Sequence, residues 1–192
     1  MPAPNQAALD FLLTRRSRPA RTLSDEAPKR AEIEQMLTAA ARTPDHGKLE
    51  PFRFIVATGP ARARLSAALA ARMREAGEDE AQIAKQAGGM TQGGAVIVVV
   101  HSPKPSEKIP GWEQYLAAGG ACLALLNAAL AMGWGANWLT GWAAGSRAFM
   151  EQDLGLSAKE SVVGFVHIGG ETVTPPDRPR PDISAITRWV AD

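Results

Sequence analysis

Cysteine is almost absent from this sequence of 192 residues, which contains only Cys122. A single cysteine cannot form an intramolecular disulfide, and it excludes the zinc sites that need several thiolates. Histidine is also scarce, and His46, His101 and His167 lie too far apart in the sequence to indicate a metal site. We therefore predict no bound metal, and we expect Cys122 to be an unreactive packing residue. The shortage of cysteine fits a reducing, cytoplasmic compartment.

An excess of charge of one sign is absent too. The 21 lysines and arginines nearly balance the 20 aspartates and glutamates, which leaves a formal net charge of +1. Nucleic acids and anionic membranes bind proteins through positive charge, so neither is an expected partner. The first residues also lack the basic start and apolar run of a signal peptide, which again favours a cytoplasmic protein. A local cluster of positive charge is still compatible with this balance.

Charged side chains are missing from residues 115–142, and an uncharged run of this length raises the question of a membrane span. Its composition argues against one, because alanine and glycine dominate and two asparagines interrupt it. The mean hydropathy of the whole chain, -0.13, points the same way. We predict instead a long central helix that is buried in a core or in an interface.

The remaining sequence alternates between helical and strand patterns. Apolar residues at helical spacing predict helices over residues 5–14, 28–41, 60–75, 78–87 and 146–153. Strands are predicted over residues 52–56, 95–100, 134–139 and 162–168, and the β-branched run at 95–100 is typical of a strand covered on both faces. These elements predict a three-layer α+β fold with a small sheet flanked by helices. We treat residues 1–192 as one domain in which residues 171–192 form an extended C-terminal tail.

An arginine cluster follows the first predicted helix. Arg15, Arg16, Arg18 and Arg21 lie close together, with the hydroxyl of Ser17 among them and a single acidic residue nearby. Guanidinium groups match the geometry of phosphate oxygens, so the cluster could bind a small anion. Basic residues also complement the negative end of a helix dipole. From the residues alone, these two interpretations are equally open.

Two further segments contain candidate functional residues. Arg42, His46 and Lys48 lie on or beside a tight loop that leads into a strand. Such loops often carry function, although an ordinary polar turn explains this one better, and no partner for His46 as an acid or base can be named.

In the second segment, residues 134–142, a strand ends in Thr-Gly between tryptophans and could offer N–H groups and a flat surface to a planar ligand. By itself, that segment is better explained by core packing.

In their order and spacing, these motifs resemble the nitroreductase family. The likeness rests on Arg-Arg-Ser at 15–17, Ala-Arg-Thr-Pro-Asp-His at 41–46, Pro-Phe-Arg-Phe at 51–54, Trp-Leu-Thr-Gly at 138–141 and Val-Gly-Phe-Val-His-Ile-Gly at 163–169. It extends from residue 9 to residue 170 and looks closest to a short bacterial branch of NAD(P)H nitroreductases. The resemblance implies a mainly antiparallel sheet and an FMN-dependent homodimer with the flavin at the subunit interface.

The resemblance also implies roles for particular residues. Those implied to bind FMN are Arg15, Arg16 and Ser17 at the phosphate and ribityl end, Arg42 and His46 from the partner subunit, and Trp138, Leu139 and Thr140 along the ring. The backbone of Gly141 would lie near flavin N5, and no side chain is implied to act as a catalytic acid or base. The residues implied to contact the nicotinamide nucleotide, NAD(P)H, are Ala128, Ala129, Leu130, Ala131, Met132 and Gly133.

The activity implied by the resemblance is a ping-pong transfer of hydride from NAD(P)H to FMN and then to a small electron-poor acceptor, such as a nitro compound or a quinone. A flavoenzyme acting on another metabolite and a flavin-binding module with little turnover are the alternatives. Glu50, Phe52 and Leu139 depart from the residues common in the family. Lys85 lies too far from the strand at 95–100 to be assigned as the family's usual lysine.

Overall fold

The computed structural model describes residues 3–190. Its strands are Phe52–Thr58 (β1), Ala95–His101 (β2), Gly135–Leu139 (β3) and Ser161–Gly169 (β4). Its helices are Gln6–Thr14 (α1), Arg30–Ala40 (α2), Pro60–Glu75 (α3), Glu80–Gly89 (α4), Gly111–Ala131 (α5) and the single turn Ile183–Ile186 (α6). The strands form one sheet in the spatial order β1-β2-β4-β3, and every neighbouring pair is antiparallel.

Helices cover both faces of this sheet. On one face, α2 and α5 pack through a cluster that includes Met36 and Leu125. On the other face, α3 and α4 pack through a second cluster that includes Leu69 and Ile83. Residues 95–100 of β2 contribute alternately to both clusters and are fully buried, because side chains along a strand point to opposite faces. The predicted three-layer α+β fold is confirmed, and so is the two-sided burial of this strand.

The segment at 146–153 differs from its prediction as an ordinary short helix. It contains one turn of π-helix, Phe149–Asp153, in which the backbone N–H of Leu154 donates to the carbonyl of Phe149 at 3.1 Å. Phe149 and Met150 anchor the turn in the core. Gly155, at a φ of 66°, then turns the chain away, so no further helical turn can form.

Helix α5 is long and apolar enough to cross a membrane by length and composition alone. One stripe of it nevertheless packs against the sheet. The fully buried members of that stripe include Ala118, Cys122, Leu125 and Ala129. Tyr115, Leu116 and Leu123 lie on other sides and are exposed, so the predicted burial is realised on only one side within the single chain. Burial raises the pKa of the Cys122 thiol to about 12, which keeps the thiol protonated and unreactive, as predicted.

Beyond β4 the chain follows the molecular surface. Glu171 forms an isolated antiparallel bridge with Leu23, next to the loop that follows α1. Residues 174–181 have no regular secondary structure, and the turn α6 follows them. The apolar side chains near the end of the described chain are exposed, and Trp189 keeps 87% of its surface accessible.

Candidate functional site

A cavity of about 900 Å³ opens beside β3, at an edge of the sheet. Its walls come from the loop after α1, from α4 and α5, and from β3 with the turn that follows it. The polar or charged lining residues include Arg15, Ser17, Arg21, Lys85, Gln86, Gln92, Asn137, Thr140 and His167. The apolar lining residues include Met90, Leu123, Leu126, Leu139 and Phe165. This size and this mixture are typical of sites for small ligands and cofactors.

The cavity is cationic. Arg15, Arg21 and Lys85 line it, and no aspartate or glutamate of residues 3–190 does. Positive charge is therefore concentrated here, although the net charge of the chain is only +1. A cavity with charge of one sign raises the local concentration of ligands of the opposite sign. The arrangement favours an anionic ligand.

The loop after α1 supplies the anion-binding groups. The guanidinium of Arg15 donates a hydrogen bond to the hydroxyl of Ser17 at 3.0 Å, while Nε of Arg15 is buried without a partner in the described chain. The backbone N–H of Arg18 donates to the carbonyl of Ala136 at 2.8 Å, which holds the loop against the first half of β3. The Arg15 guanidinium thus lies beside a hydroxyl in the cavity wall. Of the two interpretations of the arginine cluster, this arrangement favours an anion site.

Neighbouring arginines reinforce this positive charge without lining the cavity. Burial is the main reason that the pKa of Arg15 is lowered, and the charges of Arg180, Arg16 and Arg18 lower it further. Arg16 donates to the carbonyl of Ser17 at 3.3 Å, and its Nε is buried without a partner in the described chain. Arg180 belongs to the C-terminal tail. Its contribution could not be predicted from the sequence, because no local pattern connects the tail with the loop after α1.

Trp138 is held in place by the neighbouring strand. Its indole lies across Gly164 of β4, where any Cβ would collide with the ring. The indole Nε1 donates to the carbonyl of Val163 at 3.3 Å. Trp138 thus contributes to the cavity wall while its ring also packs against the core cluster beneath α5.

The turn after β3 completes the wall. Leu139, Thr140 and Gly141 are exposed and line the cavity. Gly141 has a φ of 63°, and a Cβ at this position would lie 2.6 Å from Oε1 of Gln86. The same oxygen accepts the backbone N–H of Trp142 at 3.4 Å. The left-handed backbone therefore favours glycine at this position, and Gln86 of α4 contacts the turn.

Lys85 lines the same cavity as Arg15 and Leu139. Its separation in sequence from the strand at 95–100 does not keep it away from the site. Helix α4 crosses one face of the sheet and brings Lys85 to the β3 edge, which a count of residues along the chain could not show.

Arg42 and His46 do not line this cavity. Both side chains are exposed, and Nδ1 of His46 lies 2.7 Å from Oε2 of Glu113 on α5. The loop itself is organised by Asp45, whose carboxylate accepts the backbone N–H of Leu49 at 2.6 Å. The structure thus identifies Glu113 as the partner of His46, which the sequence could not name.

The segment predicted to contact the nicotinamide nucleotide lies at the end of α5 and in the following turn. Ala129 is fully buried, and Ala128, Leu130 and Met132 pack against the core cluster. None of the six predicted residues lines the cavity. Leu123 and Leu126, which lie earlier in the same helix, line the cavity instead.

The sequence of this chain is similar to proteins of one family. The sequence profile of the Nitroreductase family matches residues 12–170. An Escherichia coli (strain K12) protein named "Putative NAD(P)H nitroreductase YdjA" is 34% identical over 162 residues, which cover 84% of this chain and 87% of the relative. A Haemophilus influenzae protein named "Putative NAD(P)H nitroreductase" is 35% identical over 164 residues, with the same two coverages.

Solved structures share the fold. The crystal structure of the nitroreductase-like family protein from Bacillus cereus has a TM-score of 0.81 and 25% identity, covering 99% of this chain and 98% of that one. A Desulfovibrio desulfuricans protein, described as a "putative nitroreductase in complex with FMN", has a TM-score of 0.74 and 23% identity and covers 99% and 100% of the two chains. The resemblance seen in the motifs is therefore confirmed over most of the sequence and in three dimensions: this chain belongs to the nitroreductase family.

Proposed function

We propose that this protein is an FMN-dependent NAD(P)H oxidoreductase of the nitroreductase type. The observation that carries the proposal is the cationic cavity at the β3 edge, which combines anion-binding groups with an apolar wall and a glycine turn. The names of the relatives from Escherichia coli and Haemophilus influenzae support the reaction class. FMN bound to a protein of the same fold supports the cofactor.

The residues around the cavity fit FMN. Its dianionic phosphate needs several donors, and Arg15 and Ser17 offer a guanidinium and a hydroxyl, with Arg16 and Arg180 adding charge nearby. The buried Nε of Arg15 has no partner in the described chain, and a buried donor of this kind is costly unless a ligand accepts from it. We assign this end of the cavity to the phosphate, from which the ribityl chain would lead towards the ring.

The other end of the cavity suits the planar ring. Leu139 and Phe165 provide apolar surface, and Thr140 with the Gly141 turn provides backbone and hydroxyl groups at its margin. Lys85 contributes a positive charge that stabilises negative charge on a bound ligand. When bound, FMN supplies the capacity to accept and release hydride, which no amino-acid side chain has. The protein's own residues bind and orient the ring and shield one side of it from water.

A homodimer belongs to this proposal. Helix α1 has no buried residue, and Leu9, Leu12 and Leu13 on it are 49–70% exposed. Together with the exposed apolar residues of α5, they present large hydrophobic side chains to the outside, which in a soluble protein can mark an interaction surface. Association of two copies through these helices would cover that surface, and it would let Arg42 and His46 act in the partner's flavin site. Sedimentation velocity should give a dimer, which Leu13→Glu should weaken.

The hydride donor and the acceptor would use the cavity in turn. The predicted nicotinamide segment at 128–133 lies outside the cavity, so we assign hydride donation by NAD(P)H to the open mouth beside Leu139 and Thr140. A small electron-poor acceptor would bind there after the oxidised nucleotide leaves, as a ping-pong scheme requires. The cytoplasmic location expected from the sequence remains part of the proposal.

Anaerobic titration tests this function directly. The purified protein should be yellow or should become so with added FMN. NADH or NADPH should bleach the flavin absorbance, and a nitroaromatic or a quinone should restore it. A protein that binds FMN but is not bleached by either nucleotide would be a binding module. A protein that does not bind FMN would refute the proposal.

A further inference from the structure

His167 is a buried cavity residue to which neither the sequence motifs nor the proposed function gives a role. It lies on β4, directly across from Asn137 of β3, and both residues line the cavity. Only 2% of its surface is accessible. An imidazole that is almost fully buried and still forms part of a cavity wall is positioned to meet an occupant of that cavity.

One ring nitrogen of His167 is already engaged. Nδ1 lies 3.0 Å from the carbonyl oxygen of Gln92. A carbonyl can only accept a hydrogen bond, so Nδ1 carries the proton. Burial lowers the pKa of His167, and the charge of Arg62 lowers it further, against a raising effect of the bond to Gln92. A lowered pKa favours the neutral imidazole at pH 7, and since Nδ1 carries the proton, Nε2 has a lone pair that can accept and that no group of residues 3–190 engages.

The position of His167 along the cavity limits which part of a flavin it can meet. The loop with Arg15 and Ser17 is fixed to Ala136, at the beginning of β3, and Gly141 lies beyond the other end of this strand. Asn137 follows Ala136 directly, so its cross-strand partner His167 lies on the phosphate side of Leu139 and Gly141. The pair thus stands between the anion-binding groups and the part of the cavity assigned to the ring.

Between phosphate and ring, a flavin nucleotide has only its ribityl chain, whose hydroxyl groups are hydrogen-bond donors. A phosphate dianion has no donor to offer to Nε2. We propose that Nε2 of His167 accepts a hydrogen bond from a ribityl hydroxyl, and that His167 thereby makes the site selective for flavins that carry the polyol chain. This inference rests on the proposed function, and it assigns a specificity-determining residue within it.

Two flavins separate this role from a general packing role. Riboflavin carries the ribityl chain, whereas lumiflavin has a methyl group in its place and the same ring. In fluorescence titrations, His167→Phe should weaken riboflavin binding about tenfold, as expected when a ligand hydroxyl loses its acceptor, and should leave lumiflavin binding unchanged. Equal losses for the two flavins, or no loss for riboflavin, would overturn the inference.

His101→Phe is the matched control. His101 is a second buried histidine, on β2, and it does not line the cavity, so this variant should bind both flavins as the unmodified protein does.

His167→Phe also leaves the carbonyl of Gln92 without its donor, so its folding must be checked by circular dichroism. If that variant does not fold, the unmodified protein is titrated with the 2′-, 3′- and 4′-deoxy analogues of riboflavin. One of them should bind about tenfold more weakly than riboflavin. If all three analogues bind as tightly as riboflavin, the inference is overturned.

Failure of this inference can be distinguished from failure of the proposed function. If the unmodified protein binds neither riboflavin nor FMN, the proposed function fails, and this inference fails with it. If the protein binds FMN tightly but His167→Phe does not discriminate between riboflavin and lumiflavin, only the role of His167 is refuted.

Discussion

Nδ1 of His46 lies 2.7 Å from a carboxylate oxygen of Glu113, although the two residues are 67 positions apart in the sequence. The contact joins the loop after α2 to the first turn of α5. Because a carboxylate only accepts, it selects the tautomer in which Nδ1 carries the proton and leaves Nε2 available to another group. Glu113 therefore positions His46 for the flavin contact that we assign to it in the partner's site.

Glu113→Ala should weaken FMN binding by a few-fold through this loss of orientation, since a hydrogen bond to a charged group contributes about 1.5–3 kcal/mol in total and only part of it is lost. The dissociation constant from flavin fluorescence is the measurement. His46→Ala should have at least the same effect, and the double variant should be no weaker than His46→Ala alone. Additive losses in the double variant would show that Glu113 does not act through His46.

Arg15 and Arg180 should matter for FMN but not for riboflavin, because the two flavins differ only in the phosphate. We expect Arg15→Ala to weaken FMN binding by about 1.5–3 kcal/mol, as for a charge-assisted hydrogen bond. Arg180→Ala should cause a smaller loss that shrinks further in high salt, since about half of this side chain is exposed. Isothermal titration with the two flavins measures both effects.

Arg30→Ala provides the control for this comparison. Arg30 is exposed on α2 and pairs with Glu34 at 2.7 Å. Its removal changes the net charge by the same amount as Arg180→Ala and does not alter the cavity. FMN affinity should stay as it is in the unmodified protein. A loss with Arg30→Ala similar to that with Arg180→Ala would mean that Arg180 acts only through overall charge.

Gly164→Ala should destabilise the protein. The new methyl group would occupy the space of the Trp138 indole, which is fixed by its bond to Val163. Overpacking of this kind typically costs about 1–3 kcal/mol, so the free energy of unfolding in urea should fall by that amount. Gly88→Ala on α4 is the matched control, because a Cβ there meets no atom within 4 Å and alanine favours a helix over glycine by up to about 1 kcal/mol. If both variants have the same stability, the space around Trp138 is not limiting.

Acid should weaken the link between β1 and the loop before β4. Arg53 binds Glu160 through two hydrogen bonds of 2.6 and 3.0 Å. The pKa of Glu160 falls to about 2, chiefly because of the hydrogen bond from Arg53. Since the pKa is lower in the folded than in the unfolded state, the pair stabilises the fold above about pH 4.5, and this contribution is lost as the pH falls towards 2.

Glu160→Gln should therefore lower the free energy of unfolding at pH 7 by about 1–2 kcal/mol, a value reduced for the partial exposure of Arg53. The difference from the unmodified protein should shrink at pH 3. Glu80→Gln is the control, because Glu80 pairs with Arg74 on the exposed surface and should have little effect at either pH. A Glu160→Gln effect that is as large at pH 3 as at pH 7 would exclude the carboxylate charge as its cause.

Most of the fold could be predicted from the sequence, because periodicity and β-branched runs are local signals. The run at 95–100 identified a strand covered on both faces, and the helix at 60–75 was predicted with its observed ends. The uncharged run was harder, since composition alone does not tell which side of α5 faces the sheet. Ala118 and Leu125 are fully buried there, whereas Tyr115 and Leu123 are exposed.

The candidate site likewise contains some residues that local sequence predicted and others that it did not. The sequence by itself determined the groups that it carries as neighbours: the arginines with Ser17, and the Thr140-Gly141 turn after a strand. Only the tertiary structure decided that Lys85, Arg180 and His167 join them, and that Glu113 is the partner of His46. The physical reason is that burial of apolar surface brings α4 and β4 to the β3 edge, while hydrogen bonds of Glu171 and Thr172 hold the start of the exposed tail beside the loop after α1. Such tertiary contacts depend on the packing of whole elements, and the residues next to each of these side chains in the sequence do not indicate them.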